Sequence, residues 1–215
     1  MKVLIINYNR LILPKNTADW CAAHDLDPVL IDNNSDYPPL LEYYANCPYE
    51  VLRLKENRGH QVVSTLDLKK ELGIYERYIV TDPDLDFTGI PDDFLDVLDQ
   101  GLDKYPSVRK CGFSLEINDL PDSPEGKYIR GAHELSYWRL PLDNMYFDAL
   151  IDTTFALYRT AYNYHSIKQS IRTNRPYTAR HIPWYYTDIS LLPEDEQYYY
   201  KTANASASGK KRLMK

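Results

Sequence analysis

Short apolar runs alternate with helix-length segments through the first eighty or so residues, and this alternation limits the folds open to the chain. A βαβαβαβ order is typical of a mainly parallel sheet covered by helices, so we predict an α/β fold. Ligands of such sheets bind beyond the carboxyl ends of the strands. The predicted strands are residues 3–7, 29–32, 50–54 and 77–81, and the predicted helices are residues 14–24, 38–44 and 61–72.

The second half of the chain has fewer clear elements. A helix is predicted over residues 91–102, where Phe94, Leu98 and Leu102 lie four apart on one face. We further predict a strand over 111–117, a loop over 118–127, and a strand over 151–158 followed by a helix to about residue 171. One domain over residues 1–202 suits the chain length. Residues 203–215 are small, polar and basic, and we expect a disordered tail or linker there.

The composition argues against several classes of protein. A net charge of −6 disfavours a nucleic-acid partner, because phosphate binding requires a basic face. No apolar run is long enough for a transmembrane segment, and the N-terminal run is too short for a signal peptide. The expected location is therefore the cytoplasm of the producing or host cell. Cys21, Cys47 and Cys111 lack the spacing of a zinc site or a disulfide framework.

The segment Asp82-Pro83-Asp84-Leu85-Asp86 is the most informative part of the sequence. Residues two apart in an extended chain point to the same side, so three carboxylates would line one side of a strand end. Pro83 favours the extended conformation at Asp82 and fixes its own backbone angle. Carboxylate oxygens suit Mg²⁺ or Mn²⁺, which also bind phosphate oxygens. The segment therefore predicts a divalent-metal site that could offset the charge of a diphosphate leaving group.

The acidic segment also has interpretations other than a divalent-metal site. Aspartates before a helix also serve as turn and cap residues, although a cap explains only one carboxylate. A calcium-binding EF-hand is excluded, because its sixth position would be Phe87 instead of Gly and its twelfth Asp93 instead of Glu. The glycine motif of dinucleotide-binding folds, the P-loop and the nucleophile elbow are all absent from the sequence.

Four motifs follow one another in the first ninety or so residues, namely Leu4-Ile5-Ile6-Asn7-Tyr8-Asn9, Ile31-Asp32-Asn33-Asn34-Ser35-Asp36, Glu56-Asn57-Arg58-Gly59 and Asp82-Pro83-Asp84. Together they resemble the GT-A glycosyltransferases, most closely the family-2-like group with small bacterial and virus-encoded members. The resemblance implies a GT-A, Rossmann-like fold in a single domain. Residues 1–90 would form the nucleotide-sugar-binding half, and residues 105–202, which match less well, the acceptor half.

The resemblance implies roles for residues of the nucleotide-binding half. Residues 7–10 would border the nucleotide base, with Tyr8 available to stack on it. Asp32 would hydrogen-bond the base or ribose, or else cap the following turn. A phosphate contact by Arg58 agrees with the strength of guanidinium–phosphate hydrogen bonds. The implied donor-binding residues are Asn7, Tyr8, Arg10, Asp32, Asn57, Arg58, Asp82 and Asp84.

The resemblance also implies a set of metal ligands for Mn²⁺ or Mg²⁺. Asp84 would be the principal ligand, Asp82 would touch the ribose or sugar as well as the metal, and Asp86 is a candidate third ligand. His181 would return from the second half of the chain to the metal or the diphosphate. The alternative for His181 is an ordinary core or surface histidine.

Residues of the acceptor half are assigned less firmly by the sequence. Transfer with inversion needs a general base, for which Asp152 is preferred over Asp148 and Glu134 because it lies at the start of a predicted strand. A strand-edge or cap role for Asp152 is an equally good interpretation. Trp184 and Tyr185 would form a platform for acceptor or donor, or else pack in the core.

The expected activity is metal-dependent transfer of a hexose from a UDP-sugar to a hydroxyl group, with inversion. By resemblance the donor would carry a glucose- or rhamnose-like sugar, and the acceptor would be a glycan or glycoprotein. One alternative is a sugar-nucleotide nucleotidyltransferase, whose first loop would usually be glycine-rich and basic, unlike residues 7–10. The other is a non-catalytic carbohydrate-binding module, which leaves Asp82 and Asp84 unexplained.

Overall fold

The computed structural model describes residues 1–159 and 169–204, and these ranges form one α/β domain. The strands are β1 (Lys2–Asn7), β2 (Asp27–Asp32), β3 (Glu50–Arg53), β4 (Tyr78–Thr81), β5 (Leu85–Asp86), β6 (Lys110–Gly112), β7 (Ser114–Leu115), β8 (Tyr146–Asp148), β9 (Ala156–Tyr158), β10 (Ser170–Thr173) and β11 (Thr178–His181). The α-helices are α1 (Ile12–Ala23), α2 (Pro38–Asn46), α3 (Leu68–Leu72), α4 (Phe94–Lys104), α5 (Pro124–Tyr128) and α6 (Glu194–Thr202).

Within the described ranges, eight strands form a large mixed sheet in the order β3-β2-β1-β4-β9-β6-β10-β8. All of them run in one direction except β9 and β8, so the predicted mainly parallel α/β sheet is confirmed. The chain moves outward from β1 to β2 and β3, and then returns to β4 on the other side of β1. Such a reversal opens a crevice at the carboxyl ends of the two strands, where ligands of doubly wound sheets bind.

The elements of the first half agree closely with the predicted ones, with one exception. The four strands and the first two helices occur where the sequence predicts them. The predicted helix over residues 61–72 is instead a 3₁₀ turn, Val62–Thr65, followed by the short helix α3. Asp67 separates the two, because its side chain accepts a hydrogen bond from the Lys70 N–H and begins a new helix. Gly73, in the left-handed conformation, ends α3 at the predicted C-terminus.

The second half differs from the prediction in several places. The predicted strand over 111–117 is divided into β6 and β7, which belong to different sheets. The predicted loop over 118–127 contains the start of α5, capped by the Ser123 side chain. The predicted helix to residue 171 is wrong at its end, because β10 occupies Ser170–Thr173, and residues 160–168 lie outside the described residues. The sequence does not predict β8, β11 or α6, and of the predicted tail only residues 203 and 204 are described.

Two apolar clusters hold the helices against the two faces of the large sheet. The larger one joins α1 and α4 to the central strands around the ring of Phe94, which is almost fully buried. That ring lies 5.1 Å from Trp20, 5.9 Å from Phe113 and 6.0 Å from Phe155 between ring centroids. The smaller cluster packs residues 62–74 on the opposite face. Within the described residues, no helix is both long and apolar enough to cross a membrane.

A small sheet, β5-β11-β7 in the described part of the chain, lies directly after the Asp82-Pro83-Asp84 segment. β11 pairs antiparallel with β5, which places His181 opposite Leu85 and Arg180 opposite Asp86. The pairing is extended by a hydrogen bond from the Ile182 N–H to the Asp84 carbonyl oxygen at 2.9 Å. This register brings His181 beside the acidic segment, although about a hundred residues separate them in the chain.

Candidate functional site

A cavity of about 450 Å³ opens at the carboxyl ends of β1 and β4. It lies at the crevice where the order of the strands reverses. Eight of the residues singled out in the sequence line it, namely Asn7, Tyr8, Arg10, Asn57, Asp82, Asp84, Asp152 and His181. Further lining residues are Ile6, Asn33, Gly59, His60, Pro83, Thr153, Tyr199, Ala203 and Asn204.

The loop after β1 is held in place by the polar side chains around it. The Asn7 amide donates to the Arg10 carbonyl oxygen and to the Tyr44 hydroxyl, both at 2.8 Å. Asn9 adopts a positive φ of 53°, a conformation in which Asn is among the better tolerated residues. Its N–H donates to the Ser35 hydroxyl at 2.8 Å. The loop therefore leaves β1 in a defined path that presents Arg10 to the cavity.

Arg10 lies between two carboxylates in the floor of the cavity. Its Nη1 is 2.6 Å from Oδ2 of Asp84, and its Nε is 2.7 Å from Oε1 of Glu196 on α6. The guanidinium carbon lies 3.7 Å from the ring centroid of Tyr199, a cation–π contact. The side chains of Arg10, Asp84 and Glu196 are 4%, 9% and 1% exposed, so water screens these charges little.

The second carboxylate oxygen of Asp84, Oδ1, lies near His181. Oδ1 has no hydrogen-bond partner and lies 3.6 Å from Nε2 of His181, too far for a hydrogen bond. Burial acts to raise the pKa of Asp84, but the charges of His181 and Arg10 outweigh it and lower that pKa. Because burial lowers the pKa of His181 itself, we attribute the ionised state of Asp84 to Arg10. Neutral His181 offers an imidazole lone pair beside a carboxylate oxygen.

Asp82 is fixed by Thr153 in the loop before β9. The Thr153 hydroxyl donates to Oδ2 of Asp82 at 2.6 Å, and the Asp82 N–H donates to the Thr153 carbonyl oxygen at 2.8 Å. Burial and the charge of Asp84 raise the pKa of Asp82 to about 7. Burial likewise raises the pKa of Glu196 to about 7, against the effect of Arg10. Two carboxyl groups, those of Asp84 and Glu196, thus share the guanidinium of Arg10, and the carboxyl group of Asp82 lies beside them in the cavity wall.

The structure does not gather the four predicted metal ligands, Asp82, Asp84, Asp86 and His181, into one group. Across residues 1–159 and 169–204, no three His, Cys, Asp or Glu side chains form a cluster suited to a metal ion. Asp84 and His181 nevertheless fit such an ion, because a buried carboxylate oxygen without a partner faces a neutral imidazole across the same cavity. Mg²⁺ and Mn²⁺ commonly bind through one or two protein ligands together with substrate phosphates and water.

Three residues predicted to contact the donor or metal lie away from the cavity lining. Asp32 is fully buried and accepts hydrogen bonds from Nε of Arg53 at 3.1 Å and from the Ser35 N–H at 3.3 Å. Its carboxylate therefore stabilises the loop after β2. Arg58 forms an ion pair with Glu56 at 3.2 Å. Asp86 accepts the Thr88 N–H at 2.9 Å.

Of the two aromatic residues predicted to form an acceptor platform, Trp184 is buried and Tyr185 is partly buried against the larger apolar cluster. Trp184 is 9% exposed and lies 4.8 Å from His181 between ring centroids, so it supports the histidine from behind. The Tyr185 hydroxyl donates to Asp119 at 2.6 Å and holds the loop that follows β7. Neither residue is among those lining the cavity.

The three candidate bases have different surroundings. Asp152 lines the cavity, and its Oδ1 lies 3.8 Å from Nε2 of His60 on the opposite loop. Asp148 lies exposed on β8 at the edge of the large sheet. Glu134 is buried in an ion pair with Arg172 at 2.5 Å. Of the three, Asp152 is the one that lines the cavity.

Several residues of the site are not identified by the sequence. Asn33 fixes the loop opposite β4, because its amide donates to the Gly59 carbonyl oxygen and its Oδ1 accepts the Arg58 N–H, both at 2.8 Å. Glu196 and Tyr199 come from α6, a helix that the sequence does not predict. The signals for α6 in the sequence are the acidic first turn at residues 194–196 and Lys201 in the last turn. The Tyr198-Tyr199-Tyr200 cluster fits a core, an interface or a sugar surface equally well.

Lys110 on β6 supports the loop that carries Asp152. The residue is 3% exposed, and its Nζ donates to the Ile151 carbonyl oxygen at 2.7 Å. Burial lowers the pKa of Lys110 to about 8 from 10.5 in the unfolded chain. The unfolded state therefore binds more protons between those values, and the free energy of unfolding gains from this group as the pH rises.

We expect Lys110→Met to remove this gain, which amounts to roughly 2–3 kcal/mol. Urea unfolding of both proteins at pH 7.5 and pH 10 measures it, since other titrating groups cancel in the difference. Wild type should gain stability relative to the variant over this range. Parallel pH dependences would contradict the lowered pKa.

No model of a known protein family matches the sequence, and a search of curated proteins found no match either. The function must therefore be inferred from the geometry of the cavity and from the sequence motifs.

Proposed function

We propose that the protein is a GT-A-type glycosyltransferase that moves a hexose from a UDP-sugar to a hydroxyl acceptor with the help of Mn²⁺ or Mg²⁺. The observation that carries this proposal is the unpartnered Oδ1 of Asp84, which faces His181 in a cavity at the switch point of the sheet. A buried carboxylate oxygen without a hydrogen-bond partner costs free energy of folding, and a bound cation would offset that cost.

Different residues around the cavity would bind the metal ion, the diphosphate and the nucleoside. Asp84 and His181 would hold the divalent ion, which supplies a positive charge to stabilise the diphosphate leaving group. Arg10 lies beside the same carboxylate and would hydrogen-bond the diphosphate oxygens. Tyr8 and Asn57 line the cavity near the ends of β1 and β3 and would contact the nucleoside.

Asp152, which also lines the cavity, would act as the general base. In the proposed transfer the acceptor O–H bond breaks and its proton passes to the Asp152 carboxylate. The acceptor oxygen forms a bond to the anomeric carbon, while the bond from that carbon to the diphosphate oxygen breaks and its electron pair leaves with the diphosphate. The two hydrogen bonds between Thr153 and Asp82 fix this base relative to the acidic segment.

The two alternative functions, a nucleotidyltransferase and a carbohydrate-binding module, explain fewer of the features of the cavity. A nucleotidyltransferase would need phosphate-binding backbone in the loop after β1, and residues 7–10 contain no glycine. A carbohydrate-binding module does not require the buried group formed by Arg10, Asp84 and Glu196. Of the two platform aromatics, Trp184 is buried and Tyr185 is partly buried, with its hydroxyl bonded to Asp119.

Calorimetric titration of UDP, GDP and CDP tests the proposal, each with Mn²⁺ and with a chelator. We expect UDP to bind in the presence of Mn²⁺ and to bind at least about tenfold more weakly without it, because a divalent ion offsets the charge of the diphosphate. Binding of GDP or CDP instead would change the donor but retain the reaction class. If no nucleotide binds under either condition, the proposed function is wrong.

A further inference from the structure

Arg10 is held as much by α6 as by the loop that carries it. Oδ2 of Asp195 accepts hydrogen bonds from the N–H groups of Leu11 and Ile12, both at 2.8 Å. The Asn9 amide donates to the Thr202 hydroxyl at 3.1 Å. Contacts from both ends of α6 therefore fix the residues on either side of Arg10, and Glu196 and Tyr199 of the same helix fix its guanidinium.

The guanidinium takes up only one oxygen of Asp84. Oδ2 is bound by Arg10, while Oδ1 faces His181 without a hydrogen-bond partner. A divalent ion at Oδ1 would lie close to the positive charge of Arg10, and like charges at short range in a buried site repel strongly. The negative charge of a diphosphate would attract both the divalent ion and Arg10 and would offset the repulsion between them.

We propose that Arg10 is a built-in counter-ion that opposes binding of the divalent ion alone and favours its binding together with a diphosphate. This inference rests on the proposed metal–diphosphate site at Asp84. In the ligand-free protein Arg10 neutralises Asp84. When a diphosphate enters, its oxygens share the Arg10 guanidinium, and Asp84 becomes available to the divalent ion.

Glu196 determines how firmly Arg10 is held on Asp84. With Glu196 ionised, the guanidinium is shared between two carboxylates of different elements. Without that charge, the guanidinium would rest on Asp84 alone and compete more strongly with a cation. Loss of Arg10 and loss of the Glu196 charge should therefore change metal affinity in opposite directions.

Mn²⁺ binding, followed by electron paramagnetic resonance with and without inorganic pyrophosphate, tests the inference. Protein-free titrations correct for Mn²⁺ bound by pyrophosphate itself. In wild type, pyrophosphate should tighten Mn²⁺ binding about tenfold or more, and Mn²⁺ should tighten pyrophosphate binding by the same factor.

Arg10→Met should bind Mn²⁺ alone about tenfold more tightly than wild type and should lose most of the gain from pyrophosphate. Glu196→Gln should bind Mn²⁺ alone at least about fivefold more weakly. Arg139→Met and Glu194→Gln are matched controls, because they make the same charge changes at exposed positions outside the cavity lining. Both controls should bind Mn²⁺ as wild type does.

Equal or weaker Mn²⁺ binding by Arg10→Met, or no effect of pyrophosphate on wild type, overturns the inference. Should Arg10→Met not fold, as judged by circular dichroism, Glu196→Gln against Glu194→Gln decides the question. The proposed function fails separately, through absence of nucleotide binding, and it survives if nucleotides bind while pyrophosphate and Mn²⁺ bind independently.

Discussion

Replacing Asp84 with Asn is expected to reduce Mn²⁺-dependent UDP binding by about a hundredfold or more. Asn keeps the size of the side chain but loses the charge that a divalent ion requires, and loss of groups that merely support ligands already costs roughly 10–100-fold. Asp86→Asn is the matched control, two residues away in the same segment but bonded to the Thr88 N–H outside the cavity. We expect it to bind UDP normally.

Asp84→Asn also removes a partner of the buried Arg10, so its fold must be checked by thermal unfolding. A folded Asp84→Asn protein that binds UDP and Mn²⁺ like wild type would contradict the metal site. If Asp86→Asn loses binding equally, the ligand lies on the other side of the segment from the cavity.

Replacing Phe94 with Ala is expected to lower the free energy of unfolding by about 3–5 kcal/mol, a large part of the stability of a domain of this size. Its ring is 2% exposed and contacts three other aromatic rings that join α1 and α4 to the sheet. Tyr75→Ala removes an aromatic ring that is 69% exposed and should change stability by less than about 0.5 kcal/mol.

Urea unfolding measures both variants. A lower midpoint with an unchanged slope for Phe94→Ala would indicate loss of stability without a change of the folded state. If the loss does not exceed that of Tyr75→Ala, α4 is not held by this ring, and the packing described for the larger cluster is wrong.

The first four strands and the long helices could be predicted from the sequence because their signals are local. An apolar run of three or four residues at β1, β2 or β4 indicates a buried strand, and the four-residue spacing of Phe94, Leu98 and Leu102 identifies α4. Strands of two or three residues such as β5 and β7 carry no periodicity, and their pairing depends on residues far away in the chain.

Some residues of the candidate site could likewise be predicted from local sequence signals, and others could not. Asn7, Asp82 and Asp84 could be found because polar residues that follow parallel strands meet at one edge of the sheet. Glu196 and Tyr199 could not, because α6 reaches the cavity only through tertiary contacts and its sequence has no apolar stripe typical of a core-facing helix. Asp32 follows a strand as well, yet Arg53 and Ser35 take up its carboxylate. Position at a strand end therefore does not by itself make a residue part of the cavity.

The pairing of β11 with β5 makes the position of His181 independent of the length of the chain between them. His181 faces Asp84 because of a two-residue register, so insertions or deletions in the loops between residues 87 and 177 would leave it in place. A slip of one residue in the same register would turn its side chain to the other face of the small sheet. Variants of this protein with altered loops other than residues 149–155, which carry Asp152, should thus retain the approach of His181 to Asp84, whereas a single residue inserted between Ala179 and His181 should abolish it.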